Sequence, residues 1–356
     1  MDKSWQVALM YFIVHLGLIF FMYPGDIIAS TQDGHWIPIV LGFALHLAAL
    51  SLYLKGLFNW GNNDIIALYM KAGKGYAVLF LLPLAVYFFM ACITVVRCSA
   101  EIMTIVMLSS TPLWAVMLTF LLIPTYFALK GITSIFRTGV LIGMMNVPII
   151  LFFFSFSFQN IDWRYVFPMI GKASFLTEPS YLESFFVFAG GFLFLGFIQP
   201  HVAFRKRYVI LAAIALLPFF IFSVYIPLLT FGQSTASTFN FPFIVSLDTI
   251  SITWLMFERI TVFLLLSLIS FLMLFLSLSL WSTMRIVHAG IPALKPRYLL
   301  VSIPVLVYVV CLAIPSWTDI VKLFWWNTYL RFYIMAAIPL STYFLASRSK
   351  KRMVRS

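Results

Sequence analysis

Charge is what this sequence lacks. Of its 356 residues only 10% are Asp, Glu, Lys or Arg, against 63% hydrophobic residues and 39 phenylalanines. A soluble chain of this length must cover its surface with polar groups, and here there are too few. The composition excludes a soluble globular protein and points to an all-α polytopic membrane protein. Short alternating segments, the mark of a transmembrane barrel, are missing too: the apolar runs are long and unalternating. Cysteine is scarce, and Cys92, Cys98 and Cys311 all fall inside apolar runs, where they serve as small hydrophobes. No disulfide framework follows. No G-x-S-x-G, Walker or zinc-protease pattern occurs, so nothing in the sequence supports an enzyme. His15 and His46 lie midspan without a second His, Cys or carboxylate at ligand spacing, and neither metal nor cofactor is expected.

What is present is hydropathy. Taking roughly 20 apolar residues per helix gives about ten spans. They lie near 5–31, 36–54, 76–106, 112–130, 138–158, 180–200, 208–231, 252–283, 298–315 and 327–347. Only Lys3 precedes the first run and no small-residue cleavage site follows, so that run reads as a retained span rather than a signal peptide.

The net charge of +12 is arranged by topology. One side of the membrane receives Lys3, Lys55, Lys71, Lys74, Lys130, Arg137, Arg205, Lys206, Arg207, Arg285, Lys295 and Arg297. The tail adds Arg348, Lys350, Lys351, Arg352 and Arg355. The other side receives Arg164, Lys172 and Lys322, a division of seventeen against three. The positive-inside rule then puts both termini in the cytoplasm. Orientation and attraction to anionic lipid account for the charge, and no nucleic-acid partner is implied.

The chain reads as one transmembrane domain, 1–347, with a basic tail, 348–356. Ten spans divide into five and five, and an odd-numbered half inserts its successor upside down, as in inverted-repeat transporters. Interruptions fall in the first span of each half: Gly17 and Pro24-Gly25 in span 1, Ala189-Gly190-Gly191 in span 6. Paired interruptions at corresponding positions point to a midplane binding site, although glycine also serves close helix packing.

Ionisable side chains at depth need partners. Arg97 and Glu101 stand at i,i+4 on one face of span 3, within ion-pair reach. Glu258 and Arg259 begin span 8 and point about 100° apart. The four form either a cross-helix network with one member free for ligand or proton, or a self-neutralising clamp. His15, two residues before Gly17, is either a pocket wall and proton acceptor or a packing histidine. Arg137 and Arg331 fall at span boundaries and read as interfacial anchors.

Several stretches resemble the spore permease family, the B subunits of Ger-type germinant receptors, within the amino acid–polyamine–organocation superfamily. They are Gly17 through Pro24 to "QDGHWIPIVLG", "VVRCSAEIM" with "SSTPLW", "KGITSIFRTG", and "FPFIVSLDTI" with "FERITVF". The resemblance covers nearly the whole chain; each motif is loose, and their order carries the weight. It implies a LeuT-like 5+5 inverted repeat with broken helices 1 and 6, and a pocket among spans 1, 3, 6 and 8. It implies a germinant-receptor subunit in the inner membrane of a bacterial endospore, with A and C subunits as partners, binding a small nutrient, often an amino acid. Three positions depart from the family pattern: Ile19 replaces a small residue, Thr261 an acidic one, and Ser267 a tryptophan. These narrow the pocket and weaken ion-coupled transport more than ligand sensing.

The leading reading is a spore germinant receptor subunit that triggers germination. The rival is an amino-acid secondary transporter working by alternating access, and a third is a structural subunit with a silent pocket. Candidate ligand-binding residues are His15, Gly17, Leu18, Ile19, Cys98, Phe188, Gly190 and Gly191. The family register places the unwinding of span 1 at Gly17–Ile19, with Pro24 early in the outer half-helix, where its missing N–H is tolerated. Removing one member of the Arg97, Glu101, Glu258, Arg259 set is expected to cost about 3–5 kcal/mol, because a buried charge loses its partner. Melting of the single variants, and of charge swaps between Arg97 and Glu258 or Glu101 and Arg259, measures this: in a cross-helix network the swap restores stability.

Overall fold

The computed structural model describes residues 3–61, 63–249 and 260–355, and every regular element among them is helical. In the first half α1 (Ser4–Ile19) and α2 (Tyr23–Ser30) are followed by α3 (Trp36–Trp60) and the short α4 (Ile65–Ala72). Next come α5 (Lys74–Val106), α6 (Leu113–Lys130) and α7 (Ile132–Phe156). The second half opens with the short α8 (Pro179–Ser184) and α9 (Phe186–Gly190), then α10 (Lys206–Ala215) and α11 (Leu217–Phe231). After α12 (Gln233–Ala236) and α13 (Pro242–Asp248), three long helices close the chain: α14 (Ile260–Gly290), α15 (Pro296–Ala313) and α16 (Trp317–Arg355).

Among the described residues nine helical stretches are long and apolar enough to cross a membrane. The pair α1 and α2, bent by 56°, makes a tenth. The protein is an integral membrane protein, and the ten expected spans correspond to these ten. Their ends shift where charge permits. The second span runs to Trp60 rather than 54 because exposed Lys55 carries its ammonium outward on a long stem. The expected start of span 8, with Glu258 and Arg259, lies outside the described residues.

Glycine ends several helices. Gly61, Gly73, Gly131 and Gly232, which close α3, α4, α6 and α11, have φ of +89°, +130°, +85° and +75°. Such a cap lets the chain leave a helix where any side chain would be strained. Prolines inside α5, α6, α7 and α15 (Pro83, Pro124, Pro148 and Pro304) are tolerated because neighbouring helices re-satisfy the backbone.

Helix α14 runs through the centre, against α1, α5, α6, α7 and α15, while α3 lies along α16. Gly17 brings α1 onto α14: a Cβ there would stand 2.9 Å from Phe271 Cβ and 3.1 Å from Leu272 N. This glycine is a packing residue of the kind that lets membrane helices meet. Asn146 of α7 joins α14 through Ser270 (2.9 Å) and Ser267 (3.1 Å). At the opposite end from α2, Asp64 caps α4 by accepting from Ala67 N (2.9 Å) and pairs with Arg285 of α14. Arg285 also reaches His201 Nε2 (3.2 Å) and lies over the Trp281 ring. In the connection after α7, hydrogen bonds from Arg164 hold the Asp162 carboxyl below the ordinary aspartate range.

Gly56 is where α3 meets the backbone of α16: a Cβ there would lie 2.8 Å from Tyr343 N and 2.9 Å from Thr342 C. A Gly56→Leu variant should lose about 2–3 kcal/mol through overpacking that no rotamer relieves. A fall in melting temperature of the detergent-solubilised chain measures it.

Candidate ligand-binding site

Two spans are interrupted, and residues of both meet at one cavity. In span 1 the helix persists through Gly17, Leu18 and Ile19 and opens at Phe20–Met22, three residues later than the family register suggests. Gly17 stays helical because α14 packs against it, so its lack of a side chain serves contact rather than unwinding. Pro24 falls in the first turn of α2, as expected. Span 6 breaks at Phe185, between α8 and α9, and again at Gly191–Phe192, before a 3-10 turn at Leu193–Gly196.

A broken helix frees carbonyls that the membrane interior cannot satisfy. Three buried side chains take up those of span 6. Arg331 Nη1 donates to Leu182 O (3.3 Å) and Glu183 O (2.6 Å), at the end of α8. His46 Nδ1 donates to Phe188 O (3.0 Å), and Tyr53 Oη donates to Leu193 O (3.1 Å). Because a carbonyl only accepts, His46 carries its proton on Nδ1, and its Nε2 accepts from the Tyr11 hydroxyl at 2.5 Å. His15 Nδ1 donates to Tyr11 O (2.8 Å), leaving Nε2 buried without a partner among the described residues. Arg331 is wholly buried. Its position at a span boundary suggested an interfacial anchor; instead it caps the carbonyls of a broken neighbour.

Between the breaks lies a cavity. Its wall takes Leu18, Phe21 and Met22 from the end of α1 and the break, and Tyr23 and Asp26 from α2. It takes Thr94, Val95, Cys98 and Ser99 from α5, and Phe186 and Val187 from α9. Leu272 of α14 and Phe324 of α16 complete it. Its free volume, about 20 Å³, admits one water molecule. A wider groove of about 390 Å³ between α3 and α16 is walled only by apolar side chains, among them Leu45, Ala48 and Met335, and offers nothing to orient a polar ligand.

Of the residues singled out from sequence, Leu18 and Cys98 stand in the cavity wall. Phe188 and Ile19 are buried beside it, and Gly190 and Gly191 accommodate other side chains. A Cβ on Gly190 would lie 3.1 Å from Tyr87 Oη, and one on Gly191 would collide with the His15 ring. His15 and Gly17 belong to the packing of α1, outside this wall. Arg97 pairs with Glu101 along α5, next to the wall residue Cys98; Glu258 and Arg259 lie outside the described residues. Among those residues no three His, Cys, Asp or Glu side chains gather as a metal site.

The unexpected members are Asp26, Glu183 and Arg331. Asp26 and Glu183 lie within Coulombic reach of Arg331, whose guanidinium stacks on Phe324 (4.4 Å) and Phe186 (5.4 Å). All three fall inside apolar runs, the position that marks an ionisable residue as functional by default. Asp26 is masked by the turn-like "YPGD", and the other two by their nearness to span ends.

Residues 3–318 match the spore permease family, whose description is "Spore germination protein". The chain belongs to the spore permease family. Among solved structures this spore permease resembles Mhp1, a nucleobase-cation-symport-1 family transporter, in a closed conformation with bromovinylhydantoin bound. Identity is 13%, the TM-score is 0.58, and the match covers 86% of this chain and 70% of that one. The likeness shows the fold: a LeuT-like arrangement with its first and sixth spans broken. No protein of curated function matches the permease in sequence.

Tyr53→Phe deletes one donor and is expected to destabilise the permease by about 1 kcal/mol. His46→Leu strands both the Phe188 carbonyl and the Tyr11 hydroxyl and should cost more, about 2–4 kcal/mol. Thermal melting of the two variants side by side measures the order.

Proposed function

We propose that this spore permease is the membrane subunit of a spore germinant receptor, binding a small nutrient, an amino acid in the leading case, in the cavity between its broken spans. The observation that carries the reading is the cavity itself: both interrupted spans, together with α5 and α14, contribute to one small enclosure of mixed polar and aromatic wall. Membership of a family described by spore germination supplies the biological setting. The A and C subunits are its partners, the inner membrane of the endospore is its location, and both termini are cytoplasmic, in keeping with the seventeen-to-three division of basic residues. Ligand binding favours one arrangement of the α2 and α9 segments over another, and the partner subunits respond to that shift.

The likeness to a transporter supports a second reading, amino-acid transport by alternating access in the same fold. Proteoliposomes containing this chain alone separate the two: time-dependent accumulation of a labelled amino acid favours the transporter, and its absence alongside saturable binding favours the receptor.

Ser99 is buried in the wall, and Ser99→Leu fills much of the free volume. In spores, this variant should raise the nutrient concentration for half-maximal germination at least tenfold. Immunoblotting checks that the subunit is still made, and response to a nutrient sensed by another receptor should be unchanged. An unaltered dose–response would sink the cavity as the nutrient site.

A further inference from the structure

The cavity wall holds one carboxyl, that of Asp26, and no basic side chain among the described residues. Asp26 stands in the first turn of α2, three residues after Tyr23, so the two share a helix face. No hydrogen bond reaches its carboxylate among the described residues, and no ion pair joins it or Glu183 to Arg331. Arg331 is occupied elsewhere: its two terminal nitrogens serve the carbonyls of Leu182, Glu183 and Phe324, and the rings of Phe186 and Phe324 screen it from the cavity they both wall. With two carboxyls to one guanidinium, the cluster can ionise fully only by carrying one negative charge that Arg331 does not balance. An uncompensated charge at this depth is costly, and a bound cation cancels it.

The wall also specifies which cation. The Tyr23 hydroxyl is fully buried in the wall and has no partner among the described residues, and α5 brings two more hydroxyl-bearing side chains, Thr94 and Ser99, to the same wall. The rest is aromatic, aliphatic or sulfur-bearing: Phe21, Phe186, Phe324, Met22 and Cys98 among them. Ca2+ and Mg2+ take a shell of six or more oxygens, and the wall's side chains offer one carboxyl and three hydroxyls. A protonated amine has three N–H donors for a carboxylate and hydroxyls, and ring faces attract its charge. We propose that Asp26, assisted by the Tyr23 hydroxyl, is the recognition point for the protonated amino group of the ligand, so that this permease selects amine-bearing nutrients over neutral or anionic ones of the same shape. The inference rests on the cavity reading above and adds to it the chemical class of ligand and the residue that selects it.

The test uses the purified full-length chain in lipid nanodiscs, with ligand affinity taken from thermal-shift titrations. The probes are the twenty standard L-amino acids, their α-hydroxy-acid counterparts, a set of sugars, and NaCl against KCl. The expected result is stabilisation by one or more amino acids, with each hydroxy acid about thirtyfold or more weaker, as when one partner of a buried charge pair is removed. Asp26→Asn should weaken the amino acid by the same factor and leave the hydroxy acid unchanged, a coupling that isolates the amine–carboxylate contact. Asp26→Glu should retain the discrimination in part. Because the Asp26 carboxyl has no partner among the described residues, Asp26→Asn should melt no lower than the unaltered protein without ligand. Equal affinity for amino and hydroxy acids, or full amino-acid affinity in Asp26→Asn, overturns the inference. A Na+-specific stabilisation lost in Asp26→Asn does so as well, by giving the carboxylate to a metal ion. If Ser99→Leu still abolishes binding in any of these cases, the cavity stands and only the role of Asp26 falls. If no probe binds, both fall.

Discussion

The carbonyls released by the broken sixth span have to be paired inside the bundle, because hydrocarbon gives them no partner. In this protein the pairing comes from outside the span. His46 and Tyr53, seven residues apart on one face of α3, and Arg331 on α16 reach the carbonyls of Phe188, Leu193, Leu182 and Glu183. The break can exist only where these three side chains arrive, and the long contact between α3 and α16 brings them there together. Gly56, where the backbones of the two helices come close, therefore bears on a site many residues away.

The packing of α1 follows from the same constraint. Tyr11 orients His46 through its hydroxyl and His15 through its carbonyl, so one residue of the first span sets the hydrogen bonding of the second and, through His46, that of the sixth. The ring of His15 then occupies the space that Gly191 leaves open. Both midspan histidines are in this way structural members of the break, and the cavity proper begins one turn further along, from Leu18 onward.

Most of the architecture is legible in the sequence, because span length and hydropathy follow directly from the thickness of the hydrocarbon layer. The paired interruptions are legible too, since glycine clusters mark where neighbours press close. Their register is less so. Gly17 signals a close approach to α14 as strongly as it signals unwinding, and only packing tells the two apart, which is why the opening falls at Phe20–Met22. The same ambiguity hides Asp26. A Pro-Gly-Asp sequence has the chemistry of a surface turn, and here the proline and glycine instead begin a half-helix that carries the carboxylate inward. Arg331 shows the converse: a charge near the end of an apolar run snorkels outward unless a neighbouring helix presents carbonyls, and the breaking of span 6 supplies them.

With room for one water, the enclosure between the broken spans has to expand before the proposed nutrient enters it. The waiting time for that expansion then limits capture once solute is plentiful. Arrival rates should level off with rising concentration rather than climb in proportion, as they do for a site that stands open. The measured affinity is the intrinsic one multiplied by the small fraction of time the enclosure spends expanded. In the proposed receptor, a residue that never meets the nutrient, but eases the separation of α2 from α9, can thereby set how little nutrient draws a response.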